Sequence, residues 1–165
     1  MKLAVISDIH DNVWKLSGVL ANIREDGAQT LIVCGDLCAP FTLQTIAEGF
    51  TGPIEVVFGN NDGDHFLLTR VAGRHPHVTL HGQYAELKLD GALVAVTHYS
   101  EIGRRLTTAG AFAAVFYGHS HRAETVRHGS CLGLNPGEVM GRLGRSSYGW
   151  YDTASGEGGI HDLRD

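Results

Sequence analysis

The sequence has no apolar run long enough to cross a bilayer, since its uninterrupted apolar stretches are short and a spanning helix needs about 20 residues. It also has no run of Lys or Arg, and 18 acidic residues outnumber 13 basic ones, for a formal net charge of -5. These absences exclude a spanning helix in this sequence and give no electrostatic basis for binding long nucleic acid or an anionic membrane surface. A small phosphate ligand remains compatible with this composition.

Cysteine is scarce, and the three present lack the spacing of a disulfide scaffold or a structural zinc site. The N-terminal segment has no signal-peptide pattern, so we expect a cytoplasmic protein. A hydrophobic fraction of 43% and a charged fraction of 19% are typical of a globular protein. The length predicts a single domain covering 1–165.

Two residue types are abundant: 22 glycines and 10 histidines. Glycine marks many turns, and this many histidines make metal binding worth testing. The apolar pattern alternates strand and helix at first and then forms a hairpin around Asp90 and Gly91. We therefore expect an α/β fold in which two mixed sheets pack face to face with helices outside. The expected strands are 2–7, 30–35, 54–59, 84–89, 92–97, 113–118 and 147–152, and the expected helices are 12–26, 42–48, part of 62–74 and 101–109.

Five short polar signals stand where expected strands end: SDIH, GD, GNND, TH and GHSH. Loops from separate strands converge at the carboxyl edge of a sheet, so these signals are expected to meet there. Each signal alone has an ordinary explanation, such as a turn, a helix cap or a buried core histidine. Their joint occurrence favours a metal site. The candidate ligands are Asp8, His10, Asp36, Asn60, His98, His119 and His121.

The number and type of these donors indicate which metals fit. Seven donors exceed the four that one tetrahedral zinc ion takes, so two ions share them better. Imidazole mixed with carboxylate suits divalent manganese, nickel, iron or zinc rather than magnesium or calcium. No motif around a serine or cysteine indicates a nucleophilic side chain.

The five signals, in this order and followed by NPG at 135–137, resemble the calcineurin-like metallophosphoesterases. The compact length is similar to the small bacterial and archaeal phosphodiesterase branch of that family. The resemblance implies a four-layer α/β/β/α fold, two divalent ions and attack of a metal-bound hydroxide on a small phosphodiester, or also a phosphomonoester. Small members commonly form dimers or tetramers, so a homo-oligomer is expected. The implied roles are one ion held by Asp8, His10 and His121, a second held by Asn60, His98 and His119, and Asp36 bridging the two.

The sequence departs from the family pattern at Asn61, where many members carry a histidine that meets the phosphate and protonates the leaving group. An asparagine can bind a phosphate oxygen but is no general acid near neutral pH. Asn61 is therefore the candidate catalytic and substrate-binding residue next to the ligands. Asp11 and Asn12 are expected to cap the first helix, and Asn12 is a second candidate for contacting the phosphate.

Two alternatives to a phosphoesterase acting on small esters remain. One is a non-catalytic protein-interaction scaffold on the same fold, for which a retromer subunit is the precedent. The seven intact candidate ligands favour catalysis over that reading. The other is a nuclease acting on long DNA or RNA, which the lack of a basic surface disfavours.

Overall fold

The first half of the chain alternates strand and helix, as the apolar pattern predicts. A computed structural model describes residues 1–164. Asn12 caps the first helix by accepting a hydrogen bond from the Lys15 N–H at 3.2 Å. The elements are β1 (Lys2–Ile6), α1 (Val13–Glu25), β2 (Thr30–Val33), α2 (Pro40–Gly49), β3 (Ile54–Val56), α3 (His65–Ala72) and β4 (Val78–Leu80).

The second half begins with the expected hairpin, whose two strands occupy the predicted ranges. One helix follows, and the remaining elements are short strands. Of the described helices, none is long and apolar enough to cross a membrane. The elements are β5 (Tyr84–Leu89), β6 (Ala92–Thr97), α4 (Ser100–Ala109), β7 (Ala114–Phe116), β8 (Glu124–His128), β9 (Cys131–Asn135), β10 (Ser147–Asp152) and β11 (Glu157–Asp162).

The strands form two mixed sheets. The first has the order β11-β10-β1-β2-β3-β4. Strands β1 to β4 pair in parallel, whereas β10 pairs antiparallel with both β1 and β11. The second has the order β5-β6-β7-β9-β8, with parallel pairing at β6-β7 and β7-β9. The carboxyl ends of β1, β2 and β3 therefore share one edge of the first sheet, and those of β6, β7 and β9 share one edge of the second.

Alternating side chains bury both faces of each sheet at its central strands. Leu3 and Val5 point into the core between the sheets, whereas Ala4 and Ile6 point into the core beneath α1 to α3. In the second sheet, Val115 belongs to a third core beneath α4. This period of two is what a strand covered on both faces requires. The predicted four-layer α/β/β/α arrangement is confirmed.

Several strands end earlier than the apolar pattern predicts, because the last apolar and small residues of each run belong to connecting loops. β2 ends at Val33 rather than at 35, and β3 ends at Val56 rather than at 59. The loop backbones bond to one another instead, as in Asp8 N–H to Gly35 O at 3.2 Å and Met140 N–H to Asp8 O at 3.1 Å. These bonds hold the loops of both sheets together at one end of the molecule.

The core between the sheets predicts a large stability effect for Ile32, which is fully buried there. Replacing Ile32 by Ala removes buried methyl groups and leaves a cavity, so the free energy of unfolding should fall by about 2–5 kcal/mol. Chemical denaturation measures this loss. The matched control is Ile102→Ala in α4, where the side chain is 47% exposed; its effect should stay within about 0.5 kcal/mol. Equal losses for the two variants would contradict the assigned core.

Candidate metal centre

The candidate ligands lie on loops that follow the carboxyl ends of β1, β2, β3, β6 and β7. The backbone there is unusual, because five of the seven adopt positive φ without being glycine. Such conformations cost roughly 1–3 kcal/mol each and are concentrated at functional sites. The five are Asp8 at 53°, His10 at 45°, Asp36 at 53°, His119 at 71° and His121 at 58°.

Asp8, His10 and His121 form the first donor group. Asp8 Oδ1 lies 3.4 Å from His121 Nε2 and 3.9 Å from His10 Nε2. The two imidazole rings stack with centroids 5.1 Å apart, and one donor atom from each residue falls within 4.8 Å of the others. The structure thus brings together the three residues expected to hold one ion.

Asp36, Asn60, His98 and His119 form the second donor group. His98 Nε2 lies 3.0 Å from Asn60 Oδ1, 3.2 Å from His119 Nδ1 and 3.4 Å from Asp36 Oδ2. Asp36 Oδ2 is also 3.6 Å from His10 Nε2 of the first group. Asp36 Oδ2 therefore contacts a histidine of each group, and one donor atom each of Asp8, Asp36 and His98 also lie within 4.8 Å of one another. The bridging role of Asp36 stays a prediction.

Two buried donor atoms lack a hydrogen-bond partner among residues 1–164: Asp8 Oδ1 and His10 Nε2. A buried polar atom without a partner costs about 1–3 kcal/mol, and more when it is charged. Both atoms belong to the first group and face the same space. A divalent cation there would satisfy both, so the residues present fit a metal ion.

The other ring nitrogens of three histidines contact fixed partners. His98 Nδ1 lies 2.8 Å from Cys34 O, and His121 Nδ1 lies 2.7 Å from Glu138 Oε2. His10 Nδ1 is 3.6 Å from Cys38 Sγ. An Nδ1–H that donates to such a partner leaves the Nε2 lone pair free to face the donor group, which is the tautomer that metal binding needs.

Burial and mutual contact set the charges of the acidic ligands. Burial raises the pKa of Asp8, so a negative charge there is costly without a nearby cation. Burial also acts to raise the pKa of Asp36, but hydrogen bonds from His98 and Asn61 outweigh it and lower that pKa. The contact with Asp36 likewise raises the pKa of His98 against the effect of burial. Positive charge beside Asp36 is therefore favourable, whether a proton or a metal ion supplies it.

Asp62 fixes the loops that carry the ligands. Its Oδ2 accepts hydrogen bonds from the N–H groups of Gly59 at 2.6 Å and Asp36 at 3.0 Å, and its Oδ1 accepts from Cys38 N–H at 2.7 Å. Gly59 also has to be small, because a Cβ there would overlap Asp36. The GNND signal thus shapes two loops besides supplying Asn60.

Asn61 contacts Asp36 twice. Its backbone N–H donates to Asp36 Oδ1 and its side-chain NH₂ donates to Asp36 Oδ2, both at 2.8 Å. The side chains of Asn60 and Asn61 are exposed, so this side of the centre faces solvent. Asn61 thereby orients a candidate bridging carboxylate, and its role toward substrate stays a prediction.

Asn12 and Asp11 make contacts that the sequence did not reveal. Besides capping α1, Asn12 donates a hydrogen bond from Nδ2 to Met140 O at 2.9 Å. Its contact with a phosphate stays a prediction. Asp11 is also predicted to cap α1. Its Oδ1 instead accepts from Ala39 N–H at 2.9 Å and Thr42 Oγ1 at 2.6 Å, at the start of α2.

A family comparison now adds to this geometry. A family model described as the calcineurin-like phosphoesterase superfamily domain matches residues 1–156. The chain belongs to this superfamily.

Relatives of this calcineurin-like protein include an archaeal and a bacterial phosphodiesterase, which confirms the expected branch. It is 26% identical over 160 residues to phosphodiesterase MJ0936 of Methanocaldococcus jannaschii, covering 95% of this chain and 96% of that one. It is 26% identical over 163 residues to phosphodiesterase YfcE of Escherichia coli, covering 93% of this chain and 88% of that one.

Solved structures agree on the fold. A structure of an archaeal phosphodiesterase superposes with a TM-score of 0.89 at 24% identity, covering 99% of this chain and all of that one (100%). A zinc complex of Vps29 from Entamoeba histolytica superposes with a TM-score of 0.67 at 18% identity, covering 97% of this chain and 90% of that one. At these identities the likeness shows the fold alone.

Glu138 is the residue at this centre that sequence reasoning missed. It follows NPG, is fully buried, and contacts His121 through Oε2. Its Oε1 accepts from the N–H groups of Leu143 at 2.6 Å and Gly144 at 2.7 Å. The available signal was an acidic residue just after β9, where the polar residues of the other strand ends lie. The Glu138 carboxylate therefore joins the candidate ligand His121 to the loop that contains Leu143 and Gly144.

We expect Glu138→Gln to weaken metal binding by about 10–100-fold, as is typical when the partner of a metal-binding histidine is changed. The glutamine carbonyl can still accept from the loop N–H groups, but its NH₂ group would then face His121 Nδ1. That contact favours the tautomer with the proton on Nε2, the atom that faces Asp8. Isothermal titration calorimetry with manganese measures the metal affinity of each variant.

Glu55→Gln is the matched control for this variant. Glu55 Oε2 also contacts a histidine, His81 Nε2, at 2.5 Å, but neither residue belongs to a donor group. Its metal affinity should equal that of the wild type. A Glu138→Gln protein that binds manganese as tightly as this control would contradict the positioning role of Glu138.

Proposed function

We propose that this calcineurin-like phosphoesterase is a dinuclear, metal-dependent phosphodiesterase acting on small phosphate esters. The observation that carries the proposal is the pair of adjoining donor groups with the Asp36 carboxylate between them. The unpartnered buried atoms Asp8 Oδ1 and His10 Nε2 support the metal-binding part of the proposal, because a cation between them would satisfy both. The phosphodiesterase names of the two relatives support the reaction type.

The donor chemistry supports two transition-metal ions of the manganese, nickel, iron or zinc type. Four imidazoles, two carboxylates and one amide oxygen are softer than the all-oxygen sets that magnesium and calcium prefer. Two such ions would lower the pKa of a water molecule and neutralise charge on the phosphoryl oxygens. With two carboxylates against two divalent ions, the centre would carry a charge of about +2. It would attract a phosphate ester although the chain is acidic overall.

The cysteines and the buried serine beside this centre are poor candidates for a side-chain nucleophile. Burial raises the pKa of Cys34 far above its usual value and that of Cys38 to about 12, so both are neutral thiols near pH 7. Ser7 is buried and donates to Cys34 O at 3.2 Å. This supports water as the attacking group in the proposed reaction, with Asp36 oriented by its two hydrogen bonds from Asn61.

The net charge of -5 and the absence of a Lys or Arg run disfavour a nuclease acting on long nucleic acid. The exposed Asn60 and Asn61 instead leave the centre open to a small ester from solvent. The proposal accordingly covers small phosphodiesters, with phosphomonoesters as a further substrate class.

Replacing Asp36 by Ala tests the proposal most simply. A carboxylate between the donor groups has no neighbour that can replace it, so metal content should fall below two equivalents. Hydrolysis of bis(4-nitrophenyl) phosphate should fall by roughly 10³-fold or more, since metal ions supply several kcal/mol of transition-state stabilisation.

Chelated wild-type protein should regain activity best with manganese or nickel and poorly with magnesium, because imidazole ligands favour the transition ions.

Asp26→Ala is the control, because Asp26 is also hydrogen-bonded, to Tyr148 and Arg164, but lies outside the donor groups. It should retain metal and activity. Two full metal equivalents in Asp36→Ala, or full recovery of the wild type with magnesium alone, would count against the proposed centre.

Asn61 predicts a steep dependence on the leaving group. Without an imidazole at this position, expulsion depends on the stability of the departing alcohol, so aryl diesters should react far faster than alkyl diesters. Asn61→His should help alkyl esters more than nitrophenyl esters, by up to about 10²-fold, because general acid catalysis is worth about 10²–10⁴-fold. The measurement is kcat/KM across esters of rising leaving-group pKa.

Asn61→Ala is the necessary comparison, because it also removes the side-chain hydrogen bond to Asp36. Any difference between the two variants therefore reports the imidazole. If Asn61→His and Asn61→Ala show the same slope against leaving-group pKa, position 61 does not supply the proton.

A further inference from the structure

A cavity of about 310 Å³ adjoins the metal centre on the side of His121. Besides His121, its lining includes Arg122, Leu143, Arg145 and Asp162. His121 belongs to both spaces, because its Nε2 faces Asp8 while the residue also lines the cavity. The cavity therefore lies beside the donor groups, and the two share His121.

The cavity wall is positively charged, in contrast to the chain as a whole. Arg122 has no ion-pair partner among residues 1–164, and its side chain is exposed. Arg145 contacts Asp162 at 2.6 Å, but the two side chains are 77% and 45% exposed. Ion pairs this exposed contribute little to stability, so Arg145 can turn to another anion at small cost. Two guanidinium groups against one carboxylate leave an excess positive charge.

The cavity is also fixed relative to the metal centre. Glu138 contacts His121 through one oxygen and the backbone N–H groups of Leu143 and Gly144 through the other. Because Glu138 is fully buried, this link does not depend on solvent-exposed side chains. The wall that carries Leu143 and Arg145 is therefore positioned by the same carboxylate that orients a candidate ligand. Leu143, 72% exposed, adds an apolar surface to this wall.

We propose that this cavity is a substrate subsite that selects esters carrying a second anionic group, a phosphate or a carboxylate, beyond the phosphoryl group that reacts. Arg122 binds this second group, Arg145 assists it, and Leu143 contacts the connecting carbon atoms. This proposal rests on the proposed function, since it assumes that the phosphoryl group lies at the donor groups. Guanidinium groups suit both anions because they donate two parallel hydrogen bonds.

Non-hydrolysable phosphonates test the subsite without requiring turnover. Carboxyalkylphosphonates with two to six methylene groups would be compared with alkylphosphonates of equal length, by calorimetry on the manganese-loaded protein. At the chain length that spans the two sites, the carboxylate should tighten binding about tenfold, as a hydrogen bond between charged groups does. Arg122→Gln should abolish this advantage and leave alkylphosphonate binding unchanged. Asp162→Asn, which frees Arg145, should increase it.

Arg127→Gln is the matched control, because Arg127 pairs with Glu157 and does not line the cavity. It should bind both ligand series as the wild type does. The subsite proposal is overturned if no chain length shows a carboxylate advantage, or if Arg122→Gln retains it. Hydrolysis of bis(4-nitrophenyl) phosphate judges the proposed function separately, since this ester has no second anionic group.

Discussion

Two buried atoms without hydrogen-bond partners among residues 1–164, Asp8 Oδ1 and His10 Nε2, impose the constraint on which the rest of the centre depends. A folded chain keeps such atoms only when something compensates their burial, and a cation between them is the compensation that their chemistry favours. The positive φ angles of Asp8 and His10 belong to the same constraint. Backbone hydrogen bonds to neighbouring loops hold this loop in its costly conformation: His10 N–H donates to Asp36 O at 3.0 Å, and Met140 N–H donates to Asp8 O at 3.1 Å.

Much of the fold could be predicted from the sequence, because strands buried on both faces read as continuous apolar runs and the hairpin has an Asp-Gly turn. The ends of β2 and β3 could not, since residues such as Cys34 and Val57 are buried yet belong to the site loops. The seven candidate ligands could be found because each follows such a run. The position of Glu138 just after β9 was its only sequence signal. Its contact with His121 and the contact of Asp11 with α2 join segments distant in sequence, which no local pattern encodes.

The same physical features connect the centre to specificity. Glu138 orients His121 and at the same time holds the backbone of Leu143 and Gly144, so chemistry and substrate selection share one buried carboxylate. The family supplies the fold and the reaction class, whereas Arg122, Arg145 and Leu143 belong to the particular wall of this chain. Asn61 donates two hydrogen bonds to Asp36, and its effect on the leaving group is a prediction. Selectivity for small anionic esters with stable leaving groups is what the two proposals together predict.

Anomalous diffraction from crystals grown with manganese tests the central claim most directly, because it locates each ion independently of activity. The account predicts two peaks about 3.5–4 Å apart. One should lie against Asp8, His10 and His121, the other against Asn60, His98 and His119, with Asp36 in contact with both. A single peak, or peaks away from these residues, would contradict a dinuclear centre at this end of the two sheets.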